Sequence, residues 1–227
     1  MLPPEATTAR SVCDLVTRWA QTQPDYPAIS FEDRTVSYRE LENAATRIAC
    51  LLIYKHVRPG EKVPVLAERN PEMVACFLGV LKAGACYVPI DAESWSNDRI
   101  RWTLDKVSAR TVLNTAEGDG LRDLDLCGYD VIGPSVLQPM LSPAFPGLLR
   151  DIVPALPEQD IEPEDLIFTI FTSGTTSEPK GVMVPHSSVL NYVQQGGRDT
   201  PFNLNASPAD RILLIYAPAF DGEASRA

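Results

Sequence analysis

The chain has no Cys-x-x-Cys pair, no excess of basic residues, no long apolar run and no internal repeat. Each absence excludes something. The five cysteines, Cys13, Cys50, Cys76, Cys86 and Cys127, are an odd number without paired spacing, so neither a zinc site nor a dithiol redox motif is written here. Cys50 and Cys76 fall inside apolar helical patterns and read as small buried hydrophobes. A net charge of −10 and a pI near 4.7 argue against a nucleic-acid partner, which calls for a basic face or stripe. No apolar run approaches the length of a membrane span. The opening MLPPEATTAR lacks the apolar core of a signal peptide. The expectation is a cytoplasmic protein without a membrane partner. What remains is ordinary globular composition, 44% hydrophobic and 22% charged over 227 residues, enough for a sizeable core.

Apolar spacing then gives the order of elements. Val12, Leu15, Val16 and Trp19 recur at helical intervals, with Ser11 and Asp14 spaced as a capping box. AISF and TVSY read as short strands around the polar turn Glu32-Asp33-Arg34. Ser37 and Glu40 open a second helix through about Tyr54, with Leu41, Ala44, Ala45, Ile48 and Leu52 on its inner face. KVPVLA is a strand, and Asn70-Pro71 starts a helix that stops at Gly84. ACYVPI is the next strand, NDRIRWTLDKV a helix and TVLN a strand. Such alternation predicts an α/β fold of layered, largely parallel sheets flanked by helices. An N-terminal tail over 1–10 precedes one α/β unit over 11–227.

Between Pro134 and Pro163 the texture changes: seven prolines fall in thirty residues, and PEQDIEPED adds charge. This stretch reads as a loop or extended connection rather than a packed element, and its acidic cluster as solvated linker rather than a metal site. Beyond it come the strand LIFTIF, a short strand GVMV, a helix from about Ser187 and a final strand RILLIYAPAF.

Directly after LIFTIF stands FTSGTTSEPKG, with five Ser/Thr hydroxyls, two glycines and a lysine in eleven residues. At the C-terminal end of a strand, where open α/β sheets bind ligands, such a stretch offers backbone N–H groups and hydroxyls, and Lys180 adds a compact positive charge suited to phosphate. It is not a Walker loop, since Pro179 precedes Lys180 and Gly181 follows it. Composition alone fits a phosphate cradle and a Ser/Thr-rich turn equally well.

Four ordered stretches add a resemblance. FTSGTTSEPKGVMVPH looks like the phosphate-loop signature of the adenylate-forming, AMP-binding enzymes. VSYRELENAATRIA resembles an early helix motif of that family, and LKAGACYVPID and FDGEAS resemble motifs of its nonribosomal peptide synthetase branch. The resemblance runs from about Ser11 to Asp221 and implies the N-terminal part of an adenylation domain. It implies that Thr172, Ser173, Gly174, Thr175 and Thr176 cradle the ATP phosphates, that Lys180 neutralises part of their charge, and that Mg²⁺ accompanies the ATP. It implies that Asp221 pairs with the α-amino group of an amino-acid substrate, and that the acyl group passes to phosphopantetheine on a carrier partner. Ser177 departs from the family, standing where the loop usually has glycine. Motifs that hold adenine and ribose, the hinge, and the C-terminal domain with its catalytic lysine find no match in these residues, so no catalytic residue is assigned and the chain is expected to be inactive alone. The alternatives are a fragment of an acyl- or aryl-CoA ligase and a non-catalytic truncated remnant. His186 reads as a surface or packing histidine.

Overall fold

Helices begin where local capping chemistry allows them to. In the computed structural model, which describes residues 9–117, 124–145, 159–172, 179–195 and 219, helix α1 (Val12–Thr22) is opened by Ser11. Its hydroxyl accepts from the backbone N–H of Asp14 at 3.2 Å, and the Asp14 carboxylate accepts from Ser11 N–H at 2.9 Å. Helix α2 (Tyr38–Tyr54) repeats the device with Ser37 and Glu40. Helix α3 (Pro71–Lys82) starts on Asn70, whose side-chain oxygen accepts from Met73 N–H at 2.9 Å, with Pro71 in the first turn where its missing N–H costs nothing. Past its C-cap Ala83 stands Gly84, held at φ +74°.

Strands β1 (Pro27–Phe31) and β2 (Arg34–Ser37) form a separate antiparallel hairpin. The main sheet has six strands in the order β6-β5-β3-β4-β7-β8: β3 (Lys62–Ala67), β4 (Cys86–Asp91), β5 (Thr111–Asn114), β6 (Asp130–Ile132), β7 (Leu166–Thr172) and β8 (Lys180–Pro185). Every pair is parallel except β7 with β8. In β3 the residues Val63 to Ala67 are all buried, as expected for a parallel strand covered on both faces. Val63, Val65 and Ala67 pack in one cluster with α1, α2 and α3. Leu66 joins Val88, Ile90 and Val112 in a second cluster with Ile100 and Leu104 of α4 (Asn97–Lys106). The arrangement is a sheet between two helical layers.

Two expectations need revision. The proline-rich stretch contains packed structure: Pro134–Leu137 forms a short helix, α5, and Gln138–Leu141 a 3-10 turn. Leu137, Met140 and Leu141 are buried in the cluster shared with α2. Prolines 134 and 139 sit in first turns, where proline is favoured, and the apolar spacing of the three side chains builds an inner face. Arg47 of α2 fastens the segment by donating to the carbonyls of Met140 (2.6 Å) and Ser142 (3.1 Å), with its guanidinium 4.9 Å from the centre of the Phe145 ring. Strand β6 was not foreseen either. Within the acidic cluster, Asp160 and Glu162 both pair with Arg10, and all three are solvent-exposed. The expected strand RILLIYAPAF lies, Ala219 apart, outside the described residues.

Candidate functional site

The apolar side chains of LIFTIF carry β7 into the sheet, with Ile167, Thr169, Ile170 and Phe171 buried. The strand surfaces at Thr172. Its neighbour β8 begins at Lys180, and the antiparallel register sets Thr172 opposite Lys180 and Phe171 opposite Gly181. Directly opposed residues of an antiparallel pair project to the same face of the sheet. Of the seven residues assigned phosphate or substrate roles from the sequence, the structure describes two, Thr172 and Lys180, and brings them together. Ser173, Gly174, Thr175 and Thr176 lie outside the described residues, as does Asp221. By chain connection, residues 173–179 link the two strand ends.

Gly181, the residue after Lys180, is explained by its cross-strand partner. A Cβ there would lie 3.2 Å from Cε1 of Phe171, a tight contact that the bare backbone of glycine avoids. The other side of Phe171 faces α4. The Trp102 ring meets the Phe171 ring edge-on, with centroids 5.5 Å apart. The Arg99 guanidinium lies 3.6 Å from the centre of the Trp95 ring, and its Nη2 donates to the Phe171 carbonyl at 3.4 Å. Burial pulls the Arg99 pKa below the usual arginine value, and the nearby Asp91 carboxylate opposes that. Asp91, the last residue of the YVPID stretch, spends its carboxylate locally. It accepts from the N–H groups of Glu93 (3.0 Å) and Ser94 (3.1 Å) and from the Ser94 hydroxyl (2.6 Å). That turn carries the chain from β4 to Ser96, which caps α4.

Arg99 is a residue that reading the sequence overlooked. The only trace was its position between two tryptophans, Trp95 four residues before and Trp102 three after, a spacing that aligns them on one side of a helix. His186, which follows β8, has a packing role. It is buried, and its Nδ1 accepts from Val12 N–H at 3.4 Å, at the start of α1. Burial lowers its pKa, against the pull of Asp165 and Asp14. Among the described residues no group of three or more His, Cys, Asp or Glu side chains could hold a metal, and no helix is long and apolar enough to cross a membrane.

A three-layer α/β unit with a hydroxyl- and lysine-bearing strand end defines the N-terminal part of the adenylate-forming fold, and the model of the AMP-binding enzyme family matches residues 16–225. The chain belongs to that family. It is 38% identical over 218 residues to the nonribosomal peptide synthetase sirP of Leptosphaeria maculans, covering 94% of this chain and 10% of that protein. It is 37% identical over 199 residues to tyrocidine synthase 3 of Brevibacillus parabrevis, covering 88% of this chain and 3% of that protein. The chain thus spans a tenth or less of the length of these synthetases. Among solved structures, the AMPPNP-bound nonribosomal peptide synthetase FmoA3 aligns with a TM-score of 0.76 at 32% identity, covering 94% of this chain and 21% of that one. The fatty acyl-adenylate ligase of L. pneumophila, in complex with acyl adenylate and pyrophosphate, aligns with a TM-score of 0.72 at 25% identity, covering 87% of this chain and 34% of that one.

Proposed function

We propose that the chain is the phosphate-binding front portion of an amino-acid-activating adenylation domain of nonribosomal peptide synthesis. The observation that supports this most is the pairing of Thr172 with Lys180 at the C-terminal end of β7. A hydroxyl and an ammonium on one face, at the strand end where α/β sheets hold ligands, form a donor set suited to polyphosphate. Identities of 37–38% to the two peptide synthetases named above favour that branch over a CoA ligase.

In this reading ATP is a substrate: a carboxylate attacks its α-phosphorus and pyrophosphate leaves. Thr172, Ser173, Gly174, Thr175 and Thr176 donate hydrogen bonds to the β- and γ-phosphate oxygens, and Lys180 offsets their charge. Holding the leaving group in line and stabilising its charge is what these residues contribute to rate. Asp221 accepts from the α-ammonium of the amino acid, a charge-assisted contact that selects amino acids over simple carboxylates. Mg²⁺ accompanies the ATP, as the family implies. The acyl group then passes to phosphopantetheine on a carrier partner. These 227 residues alone do not complete the reaction.

The test is pyrophosphate exchange into ATP. The chain alone is expected to give no amino-acid-dependent exchange above a blank. Joined in register to the remainder of the adenylation domain of a relative such as sirP, it is expected to exchange with a small set of amino acids and to lose that exchange in Asp221→Ala. Exchange supported equally by carboxylic acids without an amino group, and indifferent to Asp221→Ala, would refute the amino-acid reading.

A further inference from the structure

We propose that Arg99 is a positioning residue that fixes the Thr172–Lys180 end of the β7–β8 pair through the Phe171 carbonyl. The consequence for phosphate affinity rests on the function proposed above; the positioning itself does not.

Strand β7 is in register with β4 at Tyr87 and Phe168, near the start of β7. Three residues further on, at the end that matters for the site, the Phe171 carbonyl is met by Arg99 Nη2 at 3.4 Å. An arginine from α4 supplies a bond at the strand end, past the Tyr87–Phe168 pair. A hydrogen bond to a backbone carbonyl favours the backbone position that makes it, so the donor matters to where the strand end settles.

The donor is itself held. Its guanidinium lies against the Trp95 ring at 3.6 Å. Its helix is anchored by fully buried Ile100 and Leu104 and capped by Ser96. Asp91 lies close enough to favour its charge, while its own oxygens are occupied by the turn at Glu93 and Ser94. The same helix touches the same strand residue a second time, through Trp102 against the Phe171 ring. Phe171 is therefore gripped by backbone and by side chain, and its ring fills the space over Gly181. Thr172 and Lys180 are the next residues along both strands. Their relative placement follows from where Phe171 and Gly181 are pinned. A planar guanidinium lies flat on the ring while donating in its own plane; a lysine ammonium has no plane to lay on the ring.

The experiment uses the 227-residue chain with Arg99→Ala, Arg99→Lys, Trp95→Leu and Lys180→Ala. Two quantities are read: amide hydrogen exchange at Thr172 and Gly181, and binding of inorganic tripolyphosphate followed by phosphorus NMR. The expected result is at least tenfold faster exchange at both amides in Arg99→Ala, with core amides of β3 unchanged. Trp95→Leu is expected to reproduce the effect, and Arg99→Lys to restore less than half of it. Tripolyphosphate affinity is expected to fall roughly tenfold in Arg99→Ala and at least as much in Lys180→Ala. Unchanged exchange at Thr172 and Gly181 in both Arg99→Ala and Trp95→Leu would overturn the proposal, even if Lys180→Ala abolished binding. Faster exchange in a chain that binds no tripolyphosphate would uphold the positioning role and count against the phosphate reading.

Discussion

Phe171 and Gly181 face each other across β7 and β8, and the edge of the phenylalanine ring lies 3.2 Å from where any other residue's Cβ would sit. The contact is one rung inside the pair Thr172–Lys180, so strain there is transmitted to the candidate site. Gly181→Ala brings a methyl to 3.2 Å from Cε1 of Phe171, which is itself braced by Trp102. The expected cost is about 1–3 kcal/mol, typical of overpacking a site whose neighbour cannot retreat. Urea unfolding of the variant checks it. Gly181→Ala combined with Phe171→Leu is expected to recover part of the loss, and full stability in the single variant would contradict the packing described.

Helices α2 and α3 approach so closely that a Cβ at Gly79 would lie 2.6 Å from both Cβ and Cγ2 of Ile48 and 3.1 Å from the Ala45 carbonyl oxygen. Ile48 is fully buried and cannot swing out. Gly79→Ala is therefore destabilising despite alanine's better helix propensity of about 1 kcal/mol, because the clash outweighs it. Ile48→Leu, which removes the Cγ2 branch, is expected to be milder in the Gly79→Ala background than in the parent. A double-mutant cycle of unfolding free energies measures the coupling.

Lys82 of α3 donates to Glu42 of α2 at 2.7 Å and to the Thr17 hydroxyl of α1 at 3.2 Å, and both charged side chains are more than four-fifths buried. The second oxygen of Glu42 is buried without a hydrogen-bond partner among the described residues. Lys82→Met leaves that carboxylate uncompensated and is expected to cost about 2–4 kcal/mol, somewhat below a fully buried pair. The double variant Glu42→Leu with Lys82→Met is expected to be more stable than Lys82→Met alone. Thermal unfolding of the three proteins distinguishes the outcomes.

Acid is expected to weaken the attachment of α1. Burial keeps His186 neutral, with its Nδ1 accepting from Val12 N–H, and lowers its pKa in the folded state despite Asp165 and Asp14. The unfolded chain takes up a proton near the ordinary histidine value of 6.5, before the folded chain does. Stability from this group is thus fully present above about 6.5 and declines as pH falls from there towards the lower folded-state value. His186→Asn, which keeps an acceptor without a titrating ring, is expected to flatten unfolding free energy between about pH 7 and 5.5 relative to the parent.

Much of the fold was legible because its signals are local. Ser11 with Asp14, Ser37 with Glu40 and Asn70 with Pro71 announce helix starts within four residues, and each forms the bonds expected of it. KVPVLA announced strand β3, and the alternation of strands with helices announced a largely parallel sheet. Residues 134–141 were misread because proline density outweighed the spacing of Leu137, Met140 and Leu141, whose burial depends on α2 and on Arg47 far away in sequence. At the candidate site, the chemistry of Thr172 and Lys180 was readable, but their exact pairing is a property of strand register. Arg99 was invisible because its partner, Phe171, is 72 positions distant.

The most direct measurement is the ATP dependence of pyrophosphate exchange in the chain joined to the rest of an adenylation domain, with and without Lys180→Ala. Loss of a charge-assisted contact to phosphate is worth about 1.5–3 kcal/mol, or roughly ten- to a hundredfold. The account predicts a fall of that size in kcat/KM for ATP, with the amino-acid KM little changed. An unaltered ATP dependence in Lys180→Ala would contradict the assignment of the Thr172–Lys180 strand end as the phosphate grip.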